Sequence, residues 1–139
     1  MQKEPKYMWR EEDGAAICII YYKDTSFCGT AECAPQDRDF LSQRTGEHIA
    51  YLRAYIDFLK YIRDYEKKPY LDALTHLYGT MQHSSHFNPK SYESRRLKKE
   101  IKNAQDELEI TKELIDMTRT ELREYINDKD AFYIKQRKK

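Results

Sequence analysis

The stretch 97–125, LKKEIKNAQDELEITKELIDMTRTELREY, decides how the chain is read. Within it Leu97, Ile101, Ala104, Leu108, Thr111, Ile115, Thr118, Leu122 and Tyr125 recur at alternating steps of four and three. That is the heptad spacing of a coiled-coil seam, which returns each of these residues to one face of a helix. Lys, Arg, Asp and Glu occupy most other positions, as a solvated helix surface requires. The spacing predicts one helix over about 90–129, opened by Pro89 and Ser91 and about 60 Å long at 1.5 Å per residue. Ile110, Leu114 and Met117 flank the seam. A single neighbouring helix cannot cover both stripes, so an oligomer is expected.

Upstream, His83-Ser84-Ser85-His86-Phe87-Asn88-Pro89 reads as a loop. Before it, Leu52, Tyr55, Ile56, Leu59 and Ile62 repeat at helical steps, and Leu71, Leu74, Leu77, Tyr78 and Met81 resume the pattern after Pro69. A helical segment over about 36–83 follows, interrupted at Pro69 as a kinked helix or two collinear ones. Within it Gln36 to Gln43 offers a short helix before a break at Thr45-Gly46, near which the next helix starts. At the N-terminal end, Ala15-Ala-Ile-Cys-Ile-Ile-Tyr-Tyr22 and Phe27-Cys-Gly-Thr-Ala-Glu-Cys33 flank a polar Lys23-Asp-Thr-Ser26, a β-hairpin signal over about 15–34. Tyr7-Met8-Trp9-Arg10 offers a third strand. The expected fold is therefore α+β and mostly helical: one domain, 1–139, with an N-terminal hairpin followed by long antiparallel helices.

Composition narrows the function. Lys and Arg number 25 against 24 Asp and Glu, a net charge of +1, so no global field draws in DNA or a membrane surface. No apolar run reaches the eighteen or so residues of a transmembrane helix, and no secretory leader is expected at Met1. Cys18, Cys28 and Cys33 are accordingly expected as thiols in a reducing cytoplasm. Nucleophile elbow, P-loop and His-Glu-x-x-His patterns are absent, and the carboxylates are spread over helix faces as partners for Lys and Arg. On paper Cys28, Cys33, His83 and His86 assemble a zinc site. Cys28 falls on a strand expected to pack against a helix, where cysteine is more often a small apolar residue; neither metal nor cofactor is expected.

Binding chemistry is better represented. Arg119 and Arg123 are four residues apart, on one helix face beside Leu122, and two guanidinium forks so placed can grip a diphosphate. The competing reading pairs them with Glu113, Asp116, Glu121 or Glu124. Arg95 and Arg96, with Lys90, stand just inside the helix that follows the loop, near backbone amides that attract anions. Tyr78, Phe87 and Tyr92 bracket the loop and offer stacking faces for a purine, and Asn88 offers an amide for a base edge. Asn before Pro is equally a routine turn residue.

Several strings resemble one family. Gly29-Thr30-Ala31-Glu32-Cys33, then Asp37-Arg38-Asp39-Phe40, Ser42, Thr45-Gly46, Ile49-Ala50-Tyr51-Leu52-Arg53-Ala54 and the loop Phe87-Asn88-Pro89-Lys90-Ser91-Tyr92-Glu93 are similar to phage proteins of the type-one Thoeris anti-defence sponge family. The resemblance spans about Ala15 to Tyr133. It implies an N-terminal β element, long antiparallel helices and assembly as dimers or hexamers in the infected bacterial cytoplasm. It also implies sequestration, without cleavage, of cyclic ADP-ribose isomers made by TIR-domain enzymes, some members holding cyclic di- or trinucleotides in a second pocket. Carried onto this chain, Phe87, Asn88, Arg119 and Arg123 would hold the signal, while Arg38, Arg44, Thr45 and Arg53 would serve a second anionic ligand.

Such a sponge acts by mass action and needs affinity without turnover. Two other classes stay open: a coiled-coil phage or bacterial adaptor that binds protein and no small molecule, and a metal-dependent hydrolase built on His83 and His86.

Overall fold

The structure is a computed structural model that describes residues 4–33 and 42–137. Three antiparallel strands, β1 (Lys6–Arg10), β2 (Ala15–Tyr22) and β3 (Thr25–Glu32), lead into helix α1 (Gln43–Tyr61), a π-helical segment (Ile62–Lys67), α2 (Lys68–Gln82) and the long α3 (Tyr92–Arg137). The fold is thus α+β and mostly helical, and α3 extends beyond the expected end at 129. The chain divides into two compact units: Lys60–Leu114, and the remainder, up to Leu59 and from Ile115 onward.

In the unit that holds the sheet, the hairpin pairs Cys18 with Gly29 and Ile19 with Cys28, and β1 adds the third strand by pairing Tyr7 with Cys18. Alternation sends Ala16, Cys18, Ile20 and Ala31 to the buried face, where they meet Ile49, Ala50 and Ala54 of α1. Cys28 corrects the expectation that it packs inward: one step out of phase, it lies on the exposed face, and Cys18 is the buried thiol. Contact between β3 and α1 is backbone to backbone. A Cβ on Gly29 would fall 2.0 Å from the Ala50 carbonyl oxygen and 2.5 Å from the Ala54 nitrogen, so only glycine fits. At the hairpin end Phe58 meets Tyr22 and Phe27 edge-on, with centroids 5.1 and 5.6 Å away. Leu122, Tyr125 and Ile126 of α3 pack on the same core, and His48 meets the Tyr125 ring at 4.5 Å.

A helix starts near Thr45-Gly46, as expected: α1 begins at Gln43, with the Thr45 amide donating to the Ser42 hydroxyl at 3.1 Å, so that Gly46 lies inside its first turns and is not a break. Gly46 answers to packing instead, since a Cβ there would lie 3.1 Å from the Trp9 ring and 3.2 Å from Ala16 Cβ. Most of the short helix expected over Gln36–Gln43 lies outside the described residues.

In the second unit the expected interruption at Pro69 is resolved differently. Helical dihedrals continue through Lys67 and Lys68, and the Lys68 amide donates five residues back to Arg63. Pro69 removes a hydrogen bond and crowds the preceding turn, and one wider turn just ahead of it gives the ring room at the start of α2. Leu74 then packs with Leu97 and Ala104 of α3, supported by Leu71, Tyr78, Met81 and Ile101. Lys67 reaches Glu107 at 2.9 Å and Lys98 lies over Tyr78, so α2 and α3 run antiparallel here. Along α3 the buried positions among the described residues are Ser94, Leu97, Ala104, Leu108, Thr111, Ile115 and Thr118, all but Ser94 on the expected heptad seam.

Candidate functional site

The connection from α2 to α3 is held by its own backbone. His83 and Ser84 amides donate to Thr80 and Met81 carbonyls, and the Phe87 amide donates to Ser84 O at 3.1 Å. Asn88-Pro89-Lys90-Ser91 is a turn closed by the Ser91 amide on Asn88 O at 3.0 Å, with Pro at its second position. The Asn88 side-chain oxygen also accepts from the Lys90 amide at 2.9 Å. Asn88 is therefore a turn residue, as its place before Pro suggests, yet its NH2 keeps two donors for other use. Ser91 caps α3 by accepting from the Ser94 amide at 3.2 Å.

This ordered loop borders an open depression of about 320 Å³. Met81 and Phe87 supply its apolar lining, and Ser84, His86, Asn88 and Ser94 its polar groups; Ser91 and Glu93 complete it. Ser94 is fully buried, and its hydroxyl has no hydrogen-bond partner among the described residues. Of the residues expected at the loop site, the structure brings Phe87 and Asn88 to the depression. Tyr78 lies behind it, its ring meeting Phe87 edge-on at 6.0 Å and Lys98 at 5.7 Å within the α2–α3 core. Lys90, Tyr92, Arg95 and Arg96 are solvent-exposed and do not line it, and Arg96 lies 3.7 Å from Glu100.

Ser84 and His86 lie within the loop from His83 to Tyr92 that the sequence offers as a ligand site, whereas Met81 and Ser94 lie outside it, on the flanking helices. One signal was present for Ser94: three residues after a capping serine, Glu or Gln usually returns the cap, and here a second serine stands instead.

Arg119 and Arg123 belong to the other unit. Both are exposed on α3; Arg119 stands 4.0 Å from Asp116, at the limit of an ion pair, and Arg123 has no ion-pair partner among the described residues. The same unit carries Tyr51, whose ring stacks on Tyr55 at 5.8 Å. Burial, then Tyr55, Cys18 and Glu121, raise the Tyr51 phenol above its ordinary range. Of the second anionic pocket, Arg38 lies outside the described residues. Arg44 is exposed in the first turn of α1 and Thr45 is half-buried beside it. Arg53 has a structural partner: its guanidinium donates to the Thr30 carbonyl at 2.7 Å, tying α1 to the outer edge of β3.

Among the described residues no group of three or more His, Cys, Asp or Glu side chains is placed to hold a metal ion. Cys28 and Cys33 lie in one unit, His83 and His86 in the other. Among the described residues no helix is long and apolar enough to cross a membrane. Comparison with protein-family models, with curated proteins and with solved structures finds no match.

Proposed function

We propose that the protein binds and sequesters a cyclic nucleotide signal, of the cyclic ADP-ribose isomer class made by TIR-domain enzymes, without cleaving it, as an anti-defence sponge of a phage in the bacterial cytoplasm. The observation that carries this reading is the depression walled by Phe87 and Asn88, which joins an aromatic surface to free amide donors on a hydrogen-bonded and therefore preorganised loop. Arg119 and Arg123, exposed with little or no ion pairing, are the groups suited to a diphosphate. Arg44, Thr45 and Arg38 remain the residues for a second anionic ligand such as a cyclic di- or trinucleotide, whereas Arg53 has a structural partner that competes with such a role.

The protein acts as a homo-oligomer, a dimer or a hexamer. Ile110 and Met117 are 54% and 66% exposed on α3, a surface that a second copy would cover. The same surface supports a second reading, a coiled-coil adaptor for another protein.

Heating the purified protein and analysing the released supernatant by mass spectrometry separates the two. A sponge releases its nucleotide, and calorimetric titration with a cyclic ADP-ribose isomer restores binding after exchange. Absence of any nucleotide in the supernatant together with no heat on titration would leave the adaptor.

A further inference from the structure

We draw no further inference here: the strongest candidate, the outer face of the sheet, on which Met8 of β1, Ile17 and Ile19 of β2 and Cys28 of β3 lie side by side opposite the buried face, carries nothing because nothing in the structure shows what covers it.

Discussion

The carbonyl oxygen of Ala50 occupies the place a β-carbon on Gly29 would need, 2.0 Å from it. Both obstructing atoms, this oxygen and the Ala54 nitrogen, are backbone in the middle of α1 and cannot swing aside as a side chain would. Gly29→Ala should therefore push β3 off the helix and cost more than the ~1–3 kcal/mol of ordinary overpacking. Urea unfolding followed by circular dichroism reads it. A loss below about 1 kcal/mol would mean that the strand and helix are not in backbone contact.

Alkaline pH should weaken the sheet unit. Burial raises the Cys18 thiol above its usual 9.0, against the smaller opposing effect of the neighbouring Tyr7 phenol, and burial with the proximity of Cys18 raises Tyr7 above 10.0. Both groups hold their protons more tightly in the folded chain. Their contribution is whole below the ordinary values and is lost as pH climbs through 9.0 and 10.0 toward the raised folded values. Melting temperature should fall over that window, and less steeply for Tyr7→Phe. Equal slopes would assign the loss to other groups.

Ile110, Leu114 and Met117 predict self-association. Leu114→Glu should lower the mass measured by light scattering while the helix content stays, because Leu114 is off the buried seam and 37% exposed. A monomeric mass for the unmutated chain at micromolar concentration would leave this stripe to a different partner.

For Arg119 and Arg123, stability and binding should part. The 4.0 Å approach of Arg119 to Asp116, with both side chains largely exposed, is worth little in water, so alanine at either arginine should barely move the melting temperature. As a diphosphate clamp, each should raise the dissociation constant of a cyclic ADP-ribose isomer more than tenfold, and lysine should restore only part of it. Unchanged affinity in both alanine variants would return them to the solvated helix surface.

Much of the fold was legible because it is periodic. The steps from Leu97 to Tyr125 name the buried stripe of α3, a property of spacing that needs no tertiary knowledge. Strand phase is another matter: Cys18 and Cys28 both sit in alternating segments, and only the register that sets Ile19 opposite Cys28 decides which thiol is inside. The π segment escaped because Pro69 signals a lost hydrogen bond but not how neighbouring turns absorb it. At the site, Phe87 and Asn88 were visible as loop chemistry. Ser94 was not, since a serine on a helix reads as surface until the fold buries its hydroxyl.

The unbroken seam of α3 also sets what changes of length the chain can bear. Each helical residue advances by about 100°, so one codon inserted between Leu97 and Ala104 would turn one of the two away from Leu74 and bring a charged neighbour inward. Seven added residues return the stripe to within about 20° of its old direction. An in-frame insertion of one residue there is thus as disruptive as several core substitutions at once, and insertions or deletions of about seven or eleven residues should be borne best.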